Sequence, residues 1–269
     1  MRIKGGIISP ARTGTKTART LEKGLTILSL FDVDRPEWTL TAISETTGIP
    51  MPTTLRLART LEKSGYLYQN PQTRSYELGS VLYRVASVTR THSELIHAAR
   101  PHLERLASVT SESAALGVWE RGSAHILDMV LTARPFKPAN QAGRIIPGLA
   151  SSCGRIAVAF APESVLEAAL AMDHPQLTEH TPADPVQLRG EIERIRRERV
   201  AFGVETISIG MCAVAAPVFD SSDRVIASMA VVAPTERFGP VEMRAHAAAV
   251  TRETTLLSQE LGWKEEPEA

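Results

Sequence analysis

The apolar residues between Ile49 and Tyr68 recur at helical spacing. One stripe follows the i, i+3, i+4, i+7 pattern of a buried helix face: Thr54, Leu57, Ala58 and Leu61. Pro52 suits the first position of this helix, and Ser64-Gly65 is a usual signal for its end. The outward side carries small polar, methyl-bearing and guanidinium groups: Thr53, Leu55, Arg56, Arg59, Thr60 and Lys63. The major groove of DNA accepts such a helix, but an ordinary amphipathic surface helix has the same pattern, so its neighbours must decide.

Two shorter helices are predicted before it. The first runs over Ala18–Phe31, and its apolar residues share one face: Leu21, Leu25, Leu28 and Phe31. The second covers Thr41–Thr47, with Thr39 or Thr41 as its cap and Gly48 as its end. A short helix, a tight turn with glycine and another helix make a helix-turn-helix unit.

A β-hairpin, or wing, is predicted directly after this unit. Residues alternate at period two in Tyr66–Tyr68 and in Ser75–Leu78, and residues 70–74 between them have turn chemistry. We expect Arg74, near the tip, to contact a phosphate. The tyrosines simply suit a half-buried hairpin.

Charge is unevenly spread along the 269 residues, although the net charge is zero. Met1–Arg84 holds 12 Lys and Arg against 7 Asp and Glu, a net of +5, and the remainder carries −5. Residues 1–17 contain Arg2, Lys4, Arg12 and Lys16 and no acidic residue, which predicts a disordered basic arm. That arm either contacts phosphates or the minor groove, or is a plain flexible tail. A basic first third favours a polyanionic partner for this segment.

The remaining composition predicts a cytoplasmic protein. No apolar run approaches the roughly 18 residues that span a bilayer, and the start lacks the apolar centre of a signal peptide. Cys153 and Cys212 form no CxxC pair, which argues against a disulfide or zinc framework.

A mostly helical connector is predicted over Gly79–Ser111, interrupted before Pro101, with Ser93 as a cap. Its apolar face comprises Leu95, Ile96, Ala99, Leu103, Leu106 and Ala107. His92, His97 and His102 recur every five residues, so they do not share a helix face and make a poor metal site. We expect them to be solvated or capping histidines.

Strands and helices interleave after Ser111, which predicts an α+β domain built around antiparallel hairpins. The predicted strands are Ala114–Trp119, His125–Leu131, Arg144–Leu149, Ala213–Phe219 and Val225–Val232. The predicted helices are Ser152–Phe160, Ser164–Ala171, Val186–Arg199 and Val241–Leu261.

Both halves resemble the IclR family of bacterial transcription regulators. Residues 18–85 resemble its winged helix-turn-helix on Leu21-Glu22-Lys23-Gly24-Leu25, Gly48-Ile49-Pro50, Arg59-Thr60-Leu61-Glu62 and Tyr76…Leu78-Gly79. Residues 112–269 resemble its effector-binding domain, a GAF-like sensor fold, on Gly143-Arg144…Pro147, Ala150-Ser151…Gly154 and Ala215–Asp220. The resemblance implies a linker helix over residues 86–111 that joins the domains and helps to hold a dimer. It also implies a ligand-responsive regulator of a pseudo-palindromic operator, more often a repressor, in dimers or tetramers.

The residues expected to contact double-stranded DNA are Thr53, Leu55, Arg56, Arg59, Arg74, Lys16 and Arg19. The family often has Lys-Ser where this chain has Met51-Pro52, and His or Tyr in place of Leu55, so an operator sequence does not transfer.

The resemblance places a small organic effector against Ser151, Ser152, Cys153, Gly154, Ala213, Ala230 and Val232. Members that bind small oxo-acids have a cysteine at the position of Ala213 and serines at those of Ala230 and Val232, so this pocket is less polar. Either the effector is a larger aromatic or acyl compound, or a carboxylate is held by Ser151, Ser152 and the N–H groups at the start of the helix.

The alternative is an enzyme that converts a small molecule, or an activator with an unrelated use of the second domain. Ala150-Ser151-Ser152-Cys153-Gly154 lacks the first glycine of G-x-S-x-G, and the chain has no G-x-G-x-x-G, Walker A or HExxH motif. A pair of Cys153 with His125 or His180 is conceivable, but no spacing supports it. We therefore predict a regulator without catalytic residues, metal or cofactor.

Overall fold

The structure, a computed structural model, describes residues 18–31, 35–87, 90–139 and 142–264. The chain forms two compact units, residues 1–85 and 86–269. The first is a small helical unit with a two-stranded hairpin, and the second has helices around a six-stranded sheet. The predicted α+β class is confirmed. The predicted basic arm, with Lys16, lies outside the described residues.

The first unit contains α1 (Arg19–Leu28), α2 (Leu40–Thr47), α3 (Met51–Lys63), β1 (Leu67–Gln69) and β2 (Tyr76–Leu78). Thr39 caps α2 by accepting a hydrogen bond from the Ala42 N–H, and Gly48 ends it with a φ of 67°. The helix-turn-helix and the hairpin are therefore where the sequence pattern predicts them. The start of α3 differs slightly, because Pro50 is the N-cap and Pro52 follows Met51 in the first turn.

The buried face of α1 differs in part from the predicted one. Leu21 and Leu25 are 62% and 54% exposed, while Gly24 and Ile27 are buried. A helix with apolar residues on two sides can bury either of them, and here Ile27 packs into the cluster that contains Ile43. The predicted face is therefore confirmed for Leu28 and Phe31, which are partly buried against this cluster, and wrong for Leu21 and Leu25.

The connector consists of α4 (Ser80–Ser87) and α5 (Arg90–Thr110). The predicted interruption at Pro101 is wrong, because α5 continues through it. Pro101 lies on the exposed side of α5, where water can hydrate the backbone carbonyl that loses its partner. Ser93 lies inside α5 and is not its cap.

The apolar face of α5 is confirmed, but one histidine differs from the expectation. His102 is 1% exposed, and its Nδ1 lies 2.9 Å from Glu253 Oε2. It is therefore neither solvated nor a cap. Among the described residues no group of three or more His, Cys, Asp or Glu is placed to hold a metal ion. In the same part of the chain, no helix is both long and apolar enough for a membrane span.

The second unit is built on one antiparallel sheet, in the order β5-β4-β3-β8-β7-β6. Its strands are β3 (Ser113–Glu120), β4 (Ser123–Val130), β5 (Ile145–Pro147), β6 (Ala201–Val204), β7 (Met211–Phe219) and β8 (Val225–Pro234). Its other helices are α6 (Ser152–Ala159), α7 (Glu163–Leu170), α8 (Pro185–Glu198) and α9 (Pro240–Glu260), with a 3-10 turn over Thr235–Arg237. The sequence pattern did not predict β6, which is four residues long and contains Gly203.

Alternate residues of the central strands face two different layers of helices. Leu116 of β3 and Met229 of β8 pack in one cluster with residues of α5 and α9. Ala215 of β7 and Ala230 of β8 pack in a second cluster with residues of α6, α7 and α8. The small side chains on this second face allow α6 to lie close to the sheet, and they bring its first turn next to β3 and β8.

Candidate DNA-binding surface and effector pocket

The outward side of α3 presents the two predicted arginines. Arg56 and Arg59 are exposed, and within the described residues neither guanidinium makes a hydrogen bond or an ion pair. Thr53 and Leu55 are half-buried at the start of the same helix. This face therefore offers planar hydrogen-bond donors beside a methyl-bearing surface, the side-chain types that contact guanine edges and thymine methyls.

The inner side of α3 is fixed to α2 through one backbone carbonyl. The hydroxyls of Ser44 and Thr54 both donate to the Ile49 oxygen, at 2.7 and 3.0 Å. The Ile49 N–H donates to Thr47 Oγ1 at 3.2 Å. The turn between the two helices is thus held by side chains from both of them, so α3 has a defined orientation relative to α2.

Arg74 lies at the turn of the hairpin, exposed, with a φ of 60°. A left-handed conformation costs a non-glycine residue roughly 1–2 kcal/mol. The turn around it is ordered: Asn70 Oδ1 accepts hydrogen bonds from the N–H groups of Gln72 and Thr73, at 3.0 and 3.3 Å. Arg19 is the exposed first residue of α1.

The predicted effector residues of α6 lie at its buried N-terminus. Ser151 caps the helix, and its Oγ accepts a hydrogen bond from the Gly154 N–H at 2.9 Å. Ser151, Ser152 and Cys153 are only 3–4% exposed. The other N–H groups of the first turn have no partner within the helix, so this end can bind a polar or anionic group.

The predicted residues of the sheet complete an apolar wall. Ala213 lies opposite Val232 in the register of β7 and β8, and Val232 packs in the same cluster as Cys153 and Ala230. The surroundings of Val232 are also apolar, namely Ala115, Met129, Ile146, Ala150, Ala142 and Ile207. The structure therefore brings the predicted residues of α6, β7 and β8 to one region of the second unit.

Arg155 is a central residue that the sequence reasoning missed. Its side chain is completely buried, and it donates to the backbone oxygens of Leu149 and Ala150, at 2.8 and 3.0 Å, and to Phe202 O at 2.6 Å. Its Nε lies 3.1 Å from Glu191 Oε1. Burial lowers the pKa of Arg155, and Glu191 opposes that shift. The guanidinium joins the turn before α6 to β6 and α8. The signal in the sequence that could have revealed this role is a charged residue within a helix of small residues.

The backbone of β6 approaches this arginine at Gly203. A Cβ on Gly203 would lie 3.0 Å from Thr206 Oγ1 and 3.5 Å from Arg155 Nη2. The following loop is held by hydroxyls, since Thr178 donates to Glu205 O and Thr181 donates to Thr206 O, both at 2.7 Å. A side chain at position 203 would therefore press on the Thr206 hydroxyl and lie in contact with the Arg155 guanidinium.

The structure does not favour a nucleophilic role for Cys153. The residue is 4% exposed, and burial raises the pKa of its thiol, which keeps the sulfur protonated. His180 lies near Glu205, with Nε2 3.4 Å from Oε2. A cavity of about 440 Å³ at the other end of α6 is lined by Trp119, Phe160 and Arg224, among others, and by none of the predicted effector residues.

Two protein-family models match this chain, one in each of its two units. The model described as the IclR helix-turn-helix domain matches residues 20–71. The model described as the bacterial transcriptional regulator IclR C-terminal domain matches residues 87–258.

Individual relatives are similar over most of their length. BhcR, an HTH-type transcriptional regulator of Paracoccus denitrificans strain Pd 1222, is 30% identical over 241 residues, which are 89% of this chain and 86% of BhcR. AllR, an HTH-type transcriptional repressor of Escherichia coli strain K12, is 22% identical over 253 residues, 94% of this chain and 93% of AllR. The crystal structure of an IclR homolog complexed with 4-hydroxybenzoate, from Microbacterium hydrocarbonoxydans, has a TM-score of 0.78 and 22% identity, and the match covers 90% of this chain and 98% of the other.

Proposed function

The chain belongs to the IclR family of bacterial transcriptional regulators, and from that premise we propose that it is a ligand-responsive repressor of a pseudo-palindromic operator. DNA binding and transcription regulation are the function of this family, whose members are not enzymes. Residues 18–85 form the DNA-binding domain in this proposal, residues 86–111 the linker helix of a cytoplasmic homodimer or tetramer, and residues 112–269 the effector-binding domain.

Arg56 and Arg59 read the operator in this proposal. The supporting observation is that both guanidiniums are exposed, without a hydrogen bond or ion pair to any other described residue, on a helix that is fixed from its inner side. Each can pair with a guanine edge or contact a phosphate, while Thr53 and Leu55 pack on thymine methyls. Arg74, Arg19 and Lys16 contact phosphates.

The effector is an organic acid with an apolar, often aromatic, body. The apolar surroundings of Val232 suit such a body. Ser151, Ser152 and the first turn of α6 suit its carboxylate. Cys153, Gly154, Ala213 and Ala230 form the rest of the wall. A relative of the same fold is known with 4-hydroxybenzoate, which makes that compound a sensible first probe.

Repression is proposed because AllR, similar over 94% of this chain, is named a repressor. In this proposal the effector relieves repression, because it favours an arrangement of the dimer that binds DNA less tightly.

Fluorescence anisotropy with the purified full chain and its own upstream DNA tests this function. We expect binding that survives an excess of random DNA at a stated salt concentration. Aromatic and aliphatic acids, beginning with 4-hydroxybenzoate, are then added to find one that releases the DNA. Equal affinity for upstream and random DNA would contradict operator binding, and tighter operator binding with the effector would contradict release of the DNA by the effector.

A further inference from the structure

Glu37 lies just before α2, yet its side chain contacts the hairpin that follows α3. Ser75 Oγ lies 2.6 Å from Glu37 Oε2, across 38 positions of sequence. We propose that Glu37 is a positioning residue for DNA binding: it holds the hairpin turn so that Arg74 reaches a phosphate. This inference rests on the proposed DNA-binding function, and it adds an acidic residue that contacts no DNA itself.

The hydrogen bonds run in one direction. An ionised carboxylate only accepts, so the Ser75 hydroxyl donates its proton to Glu37. Thr73 Oγ1 and Ser75 Oγ are 2.6 Å apart, and because the proton of Ser75 is already used, Thr73 is the donor in this pair. Thr73, Ser75 and Glu37 thus form a chain of hydrogen bonds that ends on the carboxylate and joins the two residues on either side of the exposed Arg74.

A backbone bridge fixes the other end of this arrangement. Trp38 and Tyr76 exchange two hydrogen bonds, at 3.0 and 2.7 Å, although Trp38 belongs to neither strand of the hairpin. Trp38, Ser75 and Tyr76 are 6%, 5% and 2% exposed. The segment that carries Glu37 is therefore bound to the hairpin through the backbone at Tyr76. The Glu37 carboxylate adds a second contact closer to the turn, at Ser75.

The charge of Glu37 has the wrong sign for a direct contact with DNA. A carboxylate that contacts Ser75 lowers the positive potential of the hairpin, so electrostatics alone predicts tighter DNA binding when it is removed. Positioning predicts the opposite, because Thr73 and Ser75 lose the acceptor that orders the turn. The two accounts therefore differ in the sign of the effect of Glu37→Ala.

Three single variants of the full-length protein distinguish a positioning role of Glu37 from an effect of its charge. Glu37→Ala removes the acceptor and the charge, whereas Glu37→Gln removes the charge and keeps an amide that bonds with Ser75. Glu77→Ala is the matched control, because Glu77 is on β2 and within the described residues its carboxylate makes no hydrogen bond. We expect Glu37→Ala to weaken operator binding about 3- to 10-fold, the net effect of one hydrogen bond. Glu37→Gln should stay within about 2-fold of wild type, and Glu77→Ala should bind equally or more tightly.

The double variant with Arg74→Ala tests whether Glu37 acts through Arg74. In that background Glu37→Ala should cause no further loss of operator affinity. In the DNA-free protein, Glu37→Ala should also speed amide hydrogen exchange at Thr73 and Ser75.

The possible results are distinguishable. Unchanged exchange, tighter binding by Glu37→Ala, or an equal loss with and without Arg74 would overturn the positioning role while wild type still prefers its operator. A wild-type protein without that preference would overturn the proposed function, and this inference with it.

Discussion

Replacement of Arg155 by methionine should destabilise the second unit strongly. Methionine has a similar length but no hydrogen-bond donors. Glu191 and the backbone oxygens that accept hydrogen bonds from Arg155 would therefore lose their partner in the interior. Removal of one partner from a buried ion pair costs about 3–5 kcal/mol. Glu191 is 19% exposed and lies 3.8 Å from Arg194. Water and Arg194 can therefore partly compensate its unpaired charge, so we expect a loss of unfolding free energy at the lower end of that range.

Lysine at the same position should cost less. An ammonium keeps the charge and can bond to Glu191 or to the oxygens of the turn before α6. It lacks the planar arrangement of donors with which a guanidinium binds Glu191, that turn and β6 at the same time. We expect a loss of about 1–3 kcal/mol.

Urea unfolding of the full chain, followed by circular dichroism and tryptophan fluorescence, measures these changes. The control is Arg244→Met, an exposed arginine of α9, which should change stability by less than about 0.5 kcal/mol. Glu191→Gln should cost less in the Arg155→Met background than in wild type. An Arg155→Met protein as stable as wild type, or additive effects in the double variant, would refute a connecting role for the guanidinium.

Three further predictions concern other sites. Arg74→Gly and Arg74→Ala should weaken operator binding equally, but the glycine protein should be about 0.5–1 kcal/mol more stable because φ is 60° at this position, as measured by thermal unfolding. Burial lowers the pKa of His246, so its contribution to stability is present above about pH 6.5 and is lost as the pH falls below it; His246→Gln should flatten this part of the stability–pH curve. Cys153 and Cys212 are buried and free, so a thiol reagent at pH 7.5 should label neither until urea unfolds the chain.

The elements with strong local signals were predictable from the sequence. Thr39, Gly48 and Ser64-Gly65 mark helix ends through backbone geometry that depends on the nearest residues, and the structure has those ends. The hairpins followed from alternation around short polar turns.

The errors arose where tertiary packing decides. Nothing local distinguishes the Leu21 side of α1 from the Ile27 side, because either can pack on a neighbouring helix. The Pro101 prediction failed because exposure of that side of α5 makes a proline tolerable.

The candidate site was only partly predictable. The family resemblance supplied the residues of α6, β7 and β8, and the structure brings them to one region. The roles of Arg155 and Glu37 depend on partners 36 and 38 positions away, so neither periodicity nor spacing reveals them.

The most direct test of DNA reading by α3 compares operator and random DNA for wild type, Arg56→Ala and Arg252→Ala at one salt concentration. Arg252 is an exposed arginine of α9 and controls for the loss of one positive charge. If Arg56 reads a base, Arg56→Ala should lose about 1–3 kcal/mol of operator binding and much less on random DNA, while Arg252→Ala keeps the wild-type preference. Operator affinity of Arg56→Ala equal to that of wild type would contradict the assignment of this helix face to operator recognition.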